Sequence, residues 1–327
     1  MSTATQGPAL PIMLCTTVVR SAHHGSSHGG AYLVDMASGD HRQMLDWNDA
    51  AIDWSGRGGD RGLRGIACHG DEIYIAAADE IFVYSPDFRR LRSFRHPGLG
   101  LCHEIFIAED RLYLTSTAFD SILVYDLLAR RFIVGHCLRR DAATGALFYR
   151  PFDPEGPGLP EAGDSTHINN VFVEGGRIFA SGVGLDRLIE LKDGQAIAYA
   201  RLPTWTHNAR PFAGGVIANS TQGDIIMIAE RDGRPRLSLP VPRYPAEQLQ
   251  NADLPADFAR QAFGRGLAVI DDRHIVAGSS PATLTAWRLA PLTKLATVNL
   301  SLDVRNAVHG LVIWPYMEMI RPFPASR

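Results

Sequence analysis

Four histidines and two arginines occupy equivalent places in a repeated pattern, and together these residue types could hold a metal ion and an anion. The six residues are Arg64, His103, His167, His207, Arg265 and His309. Neutral imidazoles are ligands for Fe, Zn, Cu, Mn or Ni in preference to Ca or Mg. The forked guanidinium group of arginine suits a carboxylate, phosphate or sulfate. The chemistry that this set predicts is that of a transition metal beside a bound anion.

Each of these six residues begins a repeat unit, and the five full units share one plan that predicts how the residues are held. A short apolar strand follows the polar residue, then a turn rich in Gly, Asp or Glu, and then further strands separated by another turn. Short strands with regular turn signals and few helical patterns predict an all-β fold. Three spacings between first residues are 39, 40 and 44 residues, which is typical of a four-stranded propeller blade. We therefore predict a single β-propeller domain over residues 1–327.

The two ends of the chain and two insertions complete the predicted ring. The last unit stops after one strand, and the N-terminal segments MLCTTVVRS and GGAYLVDMASG supply strands without a polar first residue. Pairing them removes exposed sheet edges. We predict six blades with a closing blade shared by the two termini, or seven if residues 40–60 form another. Insertions at 139–164 and 240–263, the second with a short helix starting near Asp253, are predicted to lie as lids over the axial site.

The innermost strands of a propeller run along its central channel, so the six residues are expected to converge on the axis. The predicted metal ligands are His103, His167, His207 and His309. The predicted substrate-binding residues are Arg64 and Arg265. Glu104, which follows His103, and Asp164, three residues before His167, could each accept the second ring N–H of a ligand.

The same residues also allow other interpretations. Polar side chains on innermost strands can simply hydrogen-bond neighbouring blades around a water-filled channel, and the arginines can pair with acids between blades. A second cluster, His23, His24 and His28 in SAHHGSSHGG, is either a solvent-exposed loop or a further group of ligands that complements His309. Its role stays open at this point.

The composition and the absence of other motifs exclude several classes of function. A formal net charge of −3 in 327 residues argues against a nucleic-acid or membrane-surface partner. No run approaches the length of a transmembrane helix. The four cysteines form no CxxC pair, which favours a reduced, cytoplasmic protein. The sequence has no GxSxG elbow, P-loop, HExxH motif or Rossmann fingerprint.

The strands that begin HEIF, HINN, HNARP and RGLA resemble, in this order, those of a bacterial propeller family known only as a domain of unknown function. The resemblance covers about residues 60–315. It implies the propeller fold and supports the shared axial residues, but it implies no reaction. The family's usual Pro-His-Ser-x-Arg form is changed here by Thr206 and Asn208. Its arginine is kept as Arg210, which joins the predicted site.

The predicted function is that of a metal-dependent enzyme acting on a small anionic substrate. The predicted catalytic residues are Arg64, Arg210, Arg265 and Glu104. An all-histidine site is similar in design to that of carotenoid-cleaving oxygenases, which hold iron with four histidines. Four neutral ligands without a carboxylate are unusual for hydrolytic zinc, so we favour iron, over zinc, copper or manganese, and oxygenase or other oxidoreductase chemistry. A lyase or isomerase with Lewis-acid zinc or manganese is the first alternative, and a non-catalytic binding or scaffold propeller is the second.

Overall fold

Six small antiparallel sheets are arranged around a central channel in this computed structural model, which describes residues 10–22, 25–48 and 62–319. In chain order the strands are β1 Ile12–Val19, β2 Gly29–Asp35, β3 His41–Asp46, β4 Ile66–His69, β5 Glu72–Ala77, β6 Glu80–Tyr84, β7 Arg90–Arg95, β8 Ile105–Ala108, β9 Arg111–Ser116, β10 Ser121–Asp126, β11 Arg131–Arg140, β12 Leu147–Phe152, β13 Ile168–Glu174, β14 Arg177–Gly182, β15 Arg187–Lys192, β16 Gln195–Arg201, β17 Thr206–Phe212, β18 Gly215–Ser220, β19 Ile225–Ala229, β20 Pro235–Pro240, β21 Phe263–Val269, β22 His274–Ser280, β23 Thr283–Leu289, β24 Leu292–Asn299 and β25 Asn306–Ile313. Three single 3-10 turns span Thr117–Phe119, Ala246–Gln248 and Met317–Met319. The all-β, six-bladed propeller predicted from the repeats is confirmed.

The strand order in the sheets shows how the ring closes. The closing blade has the order β25-β1-β2-β3, so its innermost strand comes from the C-terminal part of the chain and its other three from the N-terminal part. The other blades are β4–β7, β8–β12, β13–β16, β17–β20 and β21–β24. Residues 41–46 form the outer strand of the closing blade, and residues 49–61 lie outside the described part of the chain. The predicted pairing of the two ends is confirmed.

Apolar residues fill the spaces between neighbouring blades. Six clusters of buried side chains each join two adjacent blades, and together they run round the ring. The middle strands are buried on both faces, as in β19, IIMIA, while the outer strands, such as β7, RLRSFR, alternate between exposed and half-buried residues. This gradient follows from the architecture, because only the outer strand of a blade meets solvent along its length.

Four innermost strands carry a β-bulge next to the polar residue that begins the repeat unit. One extra residue is present in β13 between Ile168 and Asn170, in β17 between His207 and Arg210, in β21 between Gly264 and Leu267, and in β25 opposite Cys15 and Thr17. A bulge re-aims side chains relative to the regular alternation of a strand. The polar residues are therefore not related by simple period-2 spacing to the rest of their strands.

The two insertions differ from each other in structure. The first extends β11 to Arg140 and adds β12 as a fifth strand on its blade. The helix predicted near Asp253 is wrong: a single turn forms where the N–H groups of Phe258 and Ala259 bond to the Pro255 carbonyl, and it is not continued. The next residue, Arg260, is held by the Thr221 carbonyl and Asp224. These tertiary contacts override a helical preference that is weak over so few residues.

Candidate functional site

The polar residues that begin the six repeat units lie together on the channel axis. The ring centroid of His103 is 5.2 Å from that of His167 and 5.8 Å from that of His309. His207 is close enough to His167 and His309 for their charges to influence one another. The structure thus brings together the four histidines, although they are spread over some two hundred residues of sequence.

Hydrogen bonds fix the ring of His103. Its Nδ1 is 2.7 Å from the Leu101 carbonyl oxygen and 2.9 Å from Thr117 Oγ1. The Thr117 hydroxyl donates its own hydrogen to the Ile168 carbonyl, so both neighbours of Nδ1 act as acceptors. Nδ1 must therefore carry the proton, and the lone pair of the neutral ring is on Nε2.

His167 is fixed in the same sense by a carboxylate. Its Nδ1 is 3.0 and 2.9 Å from the two oxygens of Asp164, the last residue of the first insertion. The proton is again on Nδ1, because an ionised carboxylate only accepts hydrogen bonds. The lone pair of His167 is therefore also on Nε2. Unlike the other three histidines, His167 has a side chain that is 31% exposed.

His207 and His309 are buried, and their rings make no hydrogen bond to any residue that the structure describes. Neither ring nitrogen of either residue has a partner in the described chain, although the residues are only 3% and 4% exposed. Burial holds the pKa of both imidazoles well below the usual range, and the positive charge of Arg265 adds to the effect. Burial and the charge of Arg64 act in the same way on the pKa of His103. These three rings are neutral at pH 7 and each has a free lone pair.

Arg64 and Arg265 place positive charge beside the histidines. Arg64 is 1% exposed, and its backbone carbonyl accepts a hydrogen bond from the Thr16 hydroxyl of the closing blade. The guanidinium group of Arg265 lies 4.9 Å from the centroid of Phe263. The Phe263 ring, at the end of the second insertion, also contacts His207, with 5.8 Å between ring centroids. The last residues of both insertions therefore border the axial histidines.

Glu104 and Arg210 line a cavity formed by the next residues of the innermost strands. The Glu104 carboxyl accepts hydrogen bonds from Asn208 Nδ2 at 2.9 Å and from the Ile105 N–H at 3.4 Å. Burial raises the pKa of Glu104 to about 8, so the group is mostly protonated at pH 7. Arg210 stacks on Phe172, with its guanidinium carbon 3.9 Å from the ring centroid. Within the described part of the chain, neither the Glu104 carboxyl nor the Arg210 guanidinium group makes a hydrogen bond with an axial histidine.

Two asparagines that follow His167 connect neighbouring blades. The side-chain amides of Asn169 and Asn170 donate to the Thr206 and Ala209 carbonyls of the next blade. His28 is buried, and its backbone bonds to Val19 and Trp47. His23 and His24 lie outside the described residues.

Sequence reasoning missed the groups that orient the histidines from other strands. Thr117 and Leu101 fix His103, and Thr115 Oγ1 accepts the backbone N–H of His103 at 3.0 Å. The segment LTSTAF could have drawn attention to these hydroxyls, but nothing in it indicates that they point to the axis. Phe263, the ring beside His207, has no sequence signal that we can identify.

The four imidazoles suit a transition metal, but their nitrogens do not point to one common position. Neutral imidazoles with free lone pairs and buried ring nitrogens without partners are the groups that such an ion binds. Within residues 10–22, 25–48 and 62–319, however, no group of three or more His, Cys, Asp or Glu side chains is arranged to hold a metal ion. Binding would require the rings to turn toward a common point.

Comparisons with known proteins give the fold alone. No family model matches the chain, and no curated protein matches it. The C-terminal WD40 domain of Sif2 superposes with a TM-score of 0.51 at 8% identity, over 94% of this chain and 98% of that one. A putative 6-phosphogluconolactonase from Bacteroides fragilis gives 0.47 at 10% identity, over 91% and 83%, and an inactive variant of virginiamycin B lyase from Staphylococcus aureus gives 0.42 at 14%, over 74% and 72%. In the described residues we find no helix long and apolar enough to cross a membrane.

Proposed function

We propose that this protein is a metalloenzyme that holds a divalent transition metal on the channel axis, next to a small anionic substrate. The proposed ligands are His103, His167, His207 and His309. The observation that carries the proposal is that all four of these rings offer an unused nitrogen: two through a proton fixed on Nδ1, and two because neither nitrogen has a partner among the described residues.

Leaving such nitrogens buried and unused is costly in a protein interior. A buried polar atom without a hydrogen bond costs about 1–3 kcal/mol, and His207 and His309 together present four such atoms. Binding an ion would offset this cost, and water in the channel would offset part of it. The suppressed pKa of His103, His207 and His309 keeps the rings in the neutral form that a metal requires.

The spacing of the rings supports a shared ion after modest rotation. Two imidazoles bound at about 2.0–2.1 Å to one tetrahedral ion have their ring centroids roughly 5 Å apart. The centroids of His103 are 5.2 and 5.8 Å from those of His167 and His309. The rings are therefore near enough to share an ion, and turns about their side-chain bonds would aim the nitrogens.

The residues around the histidines favour an anionic substrate. The charges of Arg64 and Arg265 reach the axis, since both lower the pKa of His103. Because none of the four proposed ligands is a carboxylate, the full charge of the ion would add to this positive potential. An anion bound by Arg64 and Arg265 would lower this positive potential, and the planar guanidinium groups would orient the anion.

When bound, iron or copper would supply oxygen activation and zinc or manganese would supply Lewis acidity. The protein contributes the rest: the strands hold the four histidines close together on the axis, and Asp164 positions the ring of His167. The identity of the ion decides between an oxidoreductase and a lyase or isomerase.

Elemental analysis tests the proposal. Protein purified without a metal-affinity tag, and then reconstituted anaerobically with Fe²⁺, Mn²⁺, Zn²⁺ or Cu²⁺, should retain about one equivalent of one of these metals. The double variant His207→Ala, His309→Ala should lose it.

The matched control is His69→Ala, because His69 lies off the axis and bonds to Asp110. This variant should keep the metal. The proposal is wrong if the wild type retains no metal after reconstitution, or if the double variant retains as much as the control.

A further inference from the structure

A cavity of about 380 Å³ lies in the channel beyond the histidines. It is formed by the parts of the six innermost strands that follow the polar first residues. Its walls are mainly apolar and include Ile66, Ile105, Phe106, Phe172, Leu267 and Val312. This volume falls in the range of about 300–1,000 Å³ that is typical of small-molecule sites.

A layer of hydrogen bonds separates this cavity from the histidines. Glu104 and Asn208, which directly follow His103 and His207, bond to each other across the channel. The Asn208 amide oxygen in turn accepts from Asn219 Nδ2 at 3.1 Å and from the Gly266 N–H at 3.0 Å. The cavity is therefore a second compartment of the channel.

Arg210 brings a cation into this compartment. Its guanidinium group rests on Phe172 at 3.9 Å and makes no hydrogen bond to any residue that the structure describes, and its Nε is buried without a partner. Burial lowers the pKa of Arg210 from its usual value, and the charge of Glu174 opposes the effect. An arginine in a low-dielectric site whose donors are unused has the chemistry to receive a carboxylate.

The other titratable groups of the cavity do not compensate this charge. The Glu104 carboxyl already accepts hydrogen bonds from Asn208 Nδ2 and from the Ile105 N–H, and it makes no ion pair with Arg210. Burial raises the pKa of the Cys68 thiol to about 12, so the thiol is neutral at pH 7. The compartment thus combines apolar walls with one arginine that has no ion pair among the described residues.

We propose that this compartment binds a small carboxylic acid with an apolar body, whose carboxylate pairs with Arg210 and whose hydrocarbon part lies along the apolar walls. A phosphate or a sugar acid fits the site less well, because its further polar groups would face the apolar walls without partners. The proposal does not depend on a metal at the histidines.

Decanoate is a suitable probe because it has one carboxylate and a plain hydrocarbon chain. Isothermal titration calorimetry on the full-length protein should show saturable binding of decanoate at one site. Decanol, which lacks the charge, should bind at least tenfold more weakly. Arg210→Gln should weaken decanoate binding at least tenfold, while Arg231→Gln, which removes an arginine stacked on Tyr199 outside the cavity, should leave it unchanged.

A cavity-filling variant keeps the test decisive if Arg210→Gln does not fold. Leu267→Trp places a large ring in the compartment and keeps Arg210 in the sequence. This variant should abolish decanoate binding, while its metal content stays as in the wild type. The proposal is overturned if decanoate does not bind, if decanol binds equally well, if Arg210→Gln binds decanoate as tightly as the wild type, or if binding survives in Leu267→Trp. Because metal content is measured separately, failure here is distinguishable from failure of the metal proposal.

Discussion

Two histidine–aspartate pairs of the same geometry show that location, and not the pair itself, distinguishes the axial site. Asp164 holds Nδ1 of His167 at 2.9 and 3.0 Å, and Asp271 holds Nδ1 of His274 at 3.0 and 3.0 Å. In each pair, the aspartate and the histidine are three residues apart in the sequence. His274 is at the start of a middle strand, β22, whereas His167 lies beside His103 on the axis. Only the first pair can orient a ring for a shared ligand.

Removing the Asp164 carboxylate should weaken metal binding. An Asp164→Asn variant keeps the shape of the side chain but loses the charge that fixes the Nδ1 proton and makes Nε2 more basic. Loss of such a partner typically costs 10–100-fold in metal affinity. Titration with Co²⁺, followed by its visible absorption, should show a shift of about this size together with a changed spectrum.

Asp271→Asn is the matched control for this measurement. It breaks the equivalent pair on β22 and should leave the Co²⁺ affinity and spectrum unchanged. Equal affinities for the two variants would show that Asp164 does not act through His167 on a bound ion.

At the scale of the strands, close contact between neighbouring blades determines which residue can follow a polar first residue. Gly65, Gly266 and Gly310 follow Arg64, Arg265 and His309. A Cβ atom at Gly310 would lie 2.5 Å from the Arg64 carbonyl oxygen, and one at Gly65 would lie 2.5 Å from the Ile105 backbone nitrogen. These glycines let each innermost strand approach the next, which keeps the channel narrow and the side chains together.

Gly310→Ala should therefore destabilise the protein. The added methyl group meets the Arg64 carbonyl oxygen, a backbone atom that can give way less easily than a flexible side chain. Overpacking of this kind costs about 1–3 kcal/mol. Urea denaturation should show the loss as a lower midpoint. Gly158→Ala, where a Cβ would have no neighbour within 4 Å, should leave the midpoint unchanged. A Gly310→Ala midpoint equal to that of the control would show that the strands have room to separate.

The strands and their polar first residues could be predicted from the sequence, but the bulges and the missing helix could not. Repetition reveals the strands because the same plan recurs in five full units. The bulge after His207 depends on Asn208 adopting a positive φ of 53°, and only contacts with neighbouring strands decide this. In the same way, Arg260 ends the turn near Asp253 through bonds to another blade.

For the whole molecule, the ring predicts which residues converge but not how their side chains are aimed. The unpaired strands at the two ends were enough to predict closure, since a propeller with open edges would be exposed to aggregation. The orientation of His103 depends on Thr117 and Leu101, whose positions follow from a 3-10 turn and a loop. The cavity at Arg210 likewise depends on all six innermost strands and has no signature in any one of them.

Closure also predicts that the ring unfolds as a unit. The closing blade joins residues that are 294 positions apart, through the bond from the Gly310 N–H to Thr16 Oγ1. Leu14 of β1 is fully buried in the cluster that connects this blade to the next one. Leu14→Ala should lower the free energy of unfolding by about 2–5 kcal/mol, while Leu128→Ala, at a side chain that is 74% exposed, should change it by less than about 0.5 kcal/mol.

Hydrogen exchange distinguishes unfolding of the whole ring from opening of one blade. If the ring is a single cooperative unit, Leu14→Ala reduces the protection of the most stable amides equally in β1 and in β19, which lies four blades further along the chain. Loss of protection confined to β1 and β25 would instead show that the closing blade opens on its own. In that case the axial histidines, one of which is on β25, would be held together only while this blade stays shut.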